Sequence, residues 1–270
     1  MFVPALTAPK YSPTVLDHWL FWVIALFAVI FLRYLAFSGG YHWLFRLRLR
    51  DRLRHRIFHY EPERGAQLRR EIWRSAGVSA IFAAFGIGVL WGWSNGYTQL
   101  YLTFDNGWDW FWLPVGPLLF VFAQETYYYW VHRWMHAPGI YERVHKWHHE
   151  SIETTAWTAF SFHPLEAVLQ ALIIAVSAVV IPMHAFAFLF LLGMMTLSAT
   201  INHAGIEVFP ASWARIPFLK SLIGATHHDV HHKRAQYNFG LYFTWWDDWM
   251  GTESPGFSKR FARYTRGDGG

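Results

Sequence analysis

Five stretches of the chain are apolar on every side rather than along one face. Residues 19–37 are uncharged except for Arg33, residues 76–93 carry no charge, and residues 111–131 carry only Glu125. Residues 165–181 carry only Glu166, and residues 183–201 carry no charge and a single histidine, His184. Helices of soluble domains are amphipathic, whereas a helix that crosses a bilayer needs about 20 predominantly apolar residues. The first three stretches therefore predict membrane spans. The last two are shorter and meet at Pro182, which predicts a hairpin that either crosses fully or re-enters. The fold expected is all-α: an integral-membrane helical bundle with a cytoplasmic histidine-rich cap. It forms one domain over residues 1–264, with a disordered polar tail at 265–270.

Composition agrees. Charged residues make up 15% of the chain, against roughly 25% in soluble domains. Aromatic residues reach 20%, including 17 Trp and 13 Tyr, the types that collect at membrane–water boundaries. The formal charge of +5 is unevenly placed. Arg46, Arg48, Arg50, Arg52, Arg54, Arg56, Arg64, Arg69, Arg70 and Arg74 all lie between the first two spans. The next loop, 95–110, has no Lys or Arg but contains Asp105 and Asp109. The positive-inside rule places the arginine loop in the cytoplasm and the N-terminus outside. The segments 132–164 and 202–270 then fall on the cytoplasmic side. An arginine run between two spans is better explained by topology and lipid headgroups than by nucleic acid, so no nucleic-acid partner is expected.

The absence of cysteine excludes thiolate-held zinc, iron–sulfur and haem sites within this chain. The 16 histidines are clustered instead. His132 and His136 follow the third span at spacing i, i+4. His145, His148 and His149 come next. His228, His231 and His232 repeat that spacing, with His227 just before them. On a helix, spacing i, i+3, i+4 gathers three side chains into about a 100° arc. Eight imidazoles are too many for one tetrahedral ion and suit two ions with about four each. Imidazole binds zinc, copper, iron and nickel alike, so this count points to two transition metals without choosing among them. No H-E-x-x-H string occurs, and Glu142–His145 is the only Glu-x-x-His, so neither a zinc-protease site nor a carboxylate-bridged ferritin-like site can be built.

The run from Glu125 through His132 and His136, then His145–His149, then His163-Pro-Leu-Glu166, resembles the fatty acid hydroxylase/sterol desaturase superfamily. So do Asn202-His203-Ala-Gly205, His227–His232, Tyr237-Asn238-Phe-Gly240 and Trp246-Asp247 through Gly251-Thr252. The resemblance covers about residues 120–252. It implies a membrane enzyme with a non-haem pair of iron ions that uses O2 and external electrons to hydroxylate or desaturate a lipid. It also implies a separate electron-donor protein. The ligands it implies are His132, His136, His145, His148, His149, His228, His231 and His232. His163, His203 and His227 are additional candidates. Glu125, Asp229 and Asn238 are expected to support the ligands through hydrogen bonds. His18, His42, His55, His59 and His184 match no box and are expected to be structural. Two other classes compete: a histidine-lined metal transporter, which would want its ligands at mid-membrane, and a b-type cytochrome, which would need paired axial histidines on facing helices.

Overall fold

The computed structural model describes residues 17–59 and 65–266. Arg64, one of the loop arginines, and the tail residues 267–270 lie outside them. Five long helices form a bundle: α1 (Trp19–Tyr41), α2 (Gly65–Ser94), α3 (Gly107–Met135), α6 (Pro164–Val180) and α7 (Ala185–His203). Each predicted apolar stretch lies within, or nearly coincides with, one of them. Short helices α4 (Tyr141–Val144), α5 (Lys146–His149), α8 (Ala225–Lys233), α9 (Trp245–Met250) and α10 (Phe257–Arg266) form a cap at one end.

Among the described residues, α1, α2 and α7 are long and apolar enough to cross a bilayer. With 17 residues, α6 is shorter. The third predicted span belongs to α3, which is 29 residues long. It falls short in apolar character because it buries Gln124 and Glu125 for the cap's sake. Large apolar side chains such as Phe21, Leu32, Leu118, Phe186 and Phe190 face outward from these helices. An exposed apolar surface of this extent on several helices is what lipid contact requires.

The hairpin turn has a definite level. Strands β1 (Leu100–Tyr101) and β2 (Met183–His184) pair in parallel, Leu100 opposite Met183 and Tyr101 opposite His184. The α6–α7 turn therefore reaches the same end of the bundle as the loop that joins α2 to α3. His184 is structural here: its Nε2 lies 3.1 Å from the Leu102 carbonyl, and its Nδ1 accepts from the Phe186 amide. Close approach makes this packing work. A Cβ on Gly116 of α3 would collide with the carbonyl oxygen of Pro182.

The opposite end is held by arginines. Arg56 donates to the carbonyls of Glu207, Phe209 and Thr265. Arg74 donates to the Trp147 carbonyl and to Glu150. The arginine loop and the histidine segments thus occupy one end of the molecule. Contrary to the expected disordered tail, Thr265 and Arg266 belong to α10. Thr265 is buried, and its hydroxyl donates to the Phe261 carbonyl one turn back.

Gly116→Val should loosen the hairpin from α3. Overpacking of this kind costs typically about 1–3 kcal/mol. A lower melting temperature in detergent is the expected result, and an unchanged one would show that the turn can move aside.

Candidate metal centre

Nine imidazoles converge beneath the cap as two groups. His132, His136, His145, His149 and His231 form one, and His148, His203, His228 and His232 form the other. In each group one ligand atom per residue lies within 4.8 Å of all the others.

The boxes do not map one-to-one onto the groups. Helix geometry explains the division. Residues i and i+4 differ by about 40° around a helix, whereas residue i+3 points about 60° to the other side of i. His132 with His136, and His145 with His149, accordingly serve the first group, while His228 with His232 serves the second. The i+3 residues cross over: His148 joins the second group and His231 the first. The second box is not one regular helix, since His145 is the N-cap of α5 with φ −120°. The backbone bond from the His149 amide to the His145 carbonyl still keeps the two rings together.

Five of the nine rings are oriented from behind. Nδ1 of His132 donates to the Phe239 carbonyl at 2.9 Å, and Nδ1 of His231 to the Tyr237 carbonyl at 2.7 Å. Nδ1 of His203 donates to the Ala199 carbonyl at 2.7 Å. Nδ1 of His148 faces the Ser161 carbonyl at 3.4 Å, and Nδ1 of His145 donates to Glu166 at 2.8 Å. A carbonyl oxygen only accepts, as does the ionised Glu166 carboxylate, so the proton of these neutral rings sits on Nδ1 and Nε2 carries a bare lone pair. Nε2 of His132 and Nε2 of His145 nevertheless stand 3.1 Å apart. So do Nε2 of His148 and Nε2 of His203. Two lone pairs held face to face in a buried site repel unless a cation lies between them. Each group contains such a pair, with two further Nε2–Nε2 approaches of 2.9–3.2 Å beside it, so the donor chemistry fits one metal ion per group.

Protonation does not relieve this repulsion. Burial, reinforced by neighbouring imidazoles, pushes the pKa of His145, His148, His149, His228 and His232 well below the ordinary value. Burial also lowers that of His231, to about 4. The rings remain neutral at physiological pH, the form that binds metal. Five and four imidazoles packed this closely leave no plane for a porphyrin, which counts against the cytochrome alternative.

A model of the family described as Fatty acid hydroxylase matches residues 117–252, half of the chain and all nine converging histidines. The chain belongs to this family. It is 29% identical over 230 residues to a Delta(7)-sterol 5(6)-desaturase of Gibberella zeae, covering 85% of this chain and 67% of that one. It is 34% identical over 156 residues to lathosterol oxidase of Mus musculus, covering 57% of this chain and 50% of the relative. Lathosterol oxidase of Homo sapiens is 33% identical over 135 residues, with coverages of 50% and 44%. The chain spans about half the length of most curated relatives that it matches. No solved structure matches it significantly.

Within this fatty acid hydroxylase domain the additional candidates separate. His203 joins the four-membered group. His163 does not: its Nδ1 accepts from the Leu165 amide as the N-cap of α6, and its ring lies against Trp147. His227 is fully buried on the far side of α8, beside the ring of Phe257, and neither ring nitrogen has a hydrogen-bond partner.

The three polar residues expected to steady ligands do other work. Glu125 shares a helix face with His132, yet its carboxylate accepts the amides of Leu241, Tyr242 and Phe243 rather than an imidazole proton. Asp229 is on the outer face of α8, paired with Lys233 at 2.7 Å and 3.4 Å from a ring nitrogen of His59. Asn238, at φ 62°, donates to the His227 carbonyl and accepts the Ser254 amide, so it braces the backbone of α8. The carboxylate that does hold an imidazole is Glu166, the second acid in an apolar stretch. The reasoning that singled out Glu125 as an acid inside a span applied equally to it.

Two further acids place the backbone that carries the converging histidines. Asp247 accepts the amides of Phe239 and Gly240, fixing the loop whose carbonyls orient His132 and His231. Glu207 accepts the Thr226 amide in the first turn of α8, where the N-cap is Gly224 and supplies no side chain.

Alanine at His203 should remove the ion of the four-membered group and leave about one metal per chain by elemental analysis, since a closed four-ligand site loses a quarter of its donors. Alanine at His163 should leave both ions. Glu166→Gln should keep the fold and lower activity about 10- to 100-fold, as is typical when a ligand's supporting hydrogen bond is weakened. His227→Ala should retain both ions in part and some activity, whereas His228→Ala should abolish activity and, like His203→Ala, leave about one metal per chain. Equal losses in equally folded protein would place His227 among the ligands.

Proposed function

We propose that the protein is a membrane-bound, non-haem di-iron oxidoreductase that uses O2 and external electrons to hydroxylate or desaturate a lipid. The observation that carries this reading is the pair of imidazole groups with bare lone pairs facing each other, in a chain of the fatty acid hydroxylase family. His132, His136, His145, His149 and His231 would hold one ion. His148, His203, His228 and His232 would hold the other. Two reduced irons supply O2 activation strong enough to remove hydrogen from an unactivated C–H bond, which no side chain can do unaided.

The chain's own residues arrange the rest. Tyr128 and Phe162 line a narrow apolar cavity. The ring of Tyr128 lies 5.0 Å from that of His132 in the first group, and the ring of Phe162 lies 5.1 Å from that of His148 in the second. A hydrocarbon lying there reaches both groups, and the apolar walls exclude water that would otherwise compete for the reaction. Electrons would come from a separate donor protein. The relatives named as sterol desaturases and lathosterol oxidases make a sterol-like lipid the first substrate to try, with fatty-acyl and alkyl lipids next.

Orientation follows from charge. The arginines and the histidine cap share one end of the bundle, so the positive-inside rule puts both, with the C-terminus, in the cytoplasm and the N-terminus outside.

Purified protein loaded with iron should contain about two ions per chain and show imidazole nitrogen without sulfur around them. One ion or none in active protein would defeat the di-metal reading, and a Soret band would replace it with haem. Reporters fused after Gly96 and at Gly270 should lie on opposite sides of the membrane. Lipid profiles with and without the gene in its host should differ by a hydroxylated or desaturated species.

A further inference from the structure

Two apolar cavities lead toward the histidines. The larger, about 370 Å³, lies among α1, α2, α6 and α7 and is walled almost wholly by aliphatic and aromatic side chains. The smaller, about 70 Å³, is the one bounded by Tyr128 and Phe162. Arg33, Phe82, Ile174 and Leu192 line both, so the two spaces adjoin at these residues.

Arg33 is the one charged side chain in either lining. The other polar groups of the inner cavity are mostly satisfied within the protein. Gln124 accepts from the Tyr242 hydroxyl, Gln170 donates to Glu166, Thr196 donates to the Leu192 carbonyl, and Tyr127 donates to the Leu169 carbonyl. Arg33 differs. Its Nε is buried without a partner, and among the described residues nothing forms an ion pair or hydrogen bond with its guanidinium. An unpaired cation within an apolar helix costs several kcal/mol to keep and marks a functional position by default. Bundle packing gives no reason for it, because Tyr34 beside it already anchors this part of α1 through its hydroxyl on the Trp157 carbonyl and its ring on Phe160.

We propose that Arg33 is the polar anchor of the substrate site. Its guanidinium receives the oxygen-bearing end of an amphiphilic lipid, a hydroxyl or a carboxylate, whose hydrocarbon body fills the larger cavity. Because Arg33 borders both spaces, an oxygen held there sets the neighbouring carbons at the mouth of the inner cavity, beside Tyr128 and Phe162. Resting on the lipid-oxidation reading above, this predicts oxidation within a few bonds of the oxygen rather than far along a tail. The binding role itself does not depend on that reading.

The test is equilibrium binding to the full-length protein in nanodiscs. The probes are two matched pairs: a 3β-hydroxysterol against the same sterol without its hydroxyl, and stearate against octadecane. Wild-type protein should favour the oxygenated member of at least one pair by about 10- to 100-fold, the range for a hydrogen bond to a charged group. The pair that shows the preference distinguishes sterol from acyl chain. Arg33→Leu should erase the preference while keeping affinity for the hydrocarbon, and Arg33→Gln should retain part of it. The proposal is overturned if wild-type protein binds both members of each pair equally. It is also overturned if Arg33→Leu, with unchanged melting temperature and metal content, keeps the preference. Should Arg33→Leu fail to fold, the wild-type pairs and Arg33→Gln still decide. Preferential binding without any turnover would leave Arg33 in place and defeat the oxidation reading alone.

Discussion

A neutral imidazole has one proton, and where that proton goes decides what this molecule can be. In both groups some rings, five of the nine in all, direct Nδ1 outward to a carbonyl or carboxylate and so turn an undefended lone pair inward. The cap exists to hold those outward acceptors still. Phe239 and Tyr237 act through their backbone, which only a fixed loop can aim. Asp247 therefore grips the amides of Phe239 and Gly240, while Asn238 beside them adopts a left-handed conformation to lock the loop to α8. Remove the outward acceptors and the rings are free to change tautomer, after which the inward face becomes an ordinary hydrogen-bonded histidine cluster.

Buried acids recur throughout the cap with one division of labour. Glu71 gathers the side chains of Gln67, Ser151, Thr155 and Thr158, Glu207 takes the amides of Phe209 and Thr226, and Glu125 takes three more amides. Each ties a loop to a helix across a long stretch of sequence. Buried carboxylates left unpaired would be costly, so each position tolerates only the arrangement that satisfies it. Irregular segments that lack a large apolar core are fixed in this way. Glu166 alone among these acids faces one of the converging imidazoles.

The bundle was legible because its information is local. Apolar runs of membrane-spanning length declare helices without reference to anything distant, and the histidine spacings declare a common face. The division of the second and third boxes between two groups was also implicit in the i, i+3, i+4 geometry. His203 and His163 show where local reading stops. Both are histidines at helix ends in the same kind of context, and only the tertiary path of α7 carries one to the site while α6 uses the other as a cap. Glu125 shows the same limit. Its position on the face of His132 was readable, but its partners are amides more than a hundred residues away. The backbone acceptors behind His132 and His231 leave no mark in the sequence at all, because any residue has a carbonyl.

The three amides held by Glu125 have a consequence for traffic. Leu241 and Tyr242, which they secure, also wall the narrow cavity beside the histidines. Lifting that segment would strand an acid and three N–H groups in a place without water, so the cap is a fixed lid and not a door. In the proposed reaction a greasy molecule would then arrive sideways, parting α1, α2, α6 or α7 from within the bilayer. Its product would leave by the same route, with the aqueous side left for oxygen, protons and electrons.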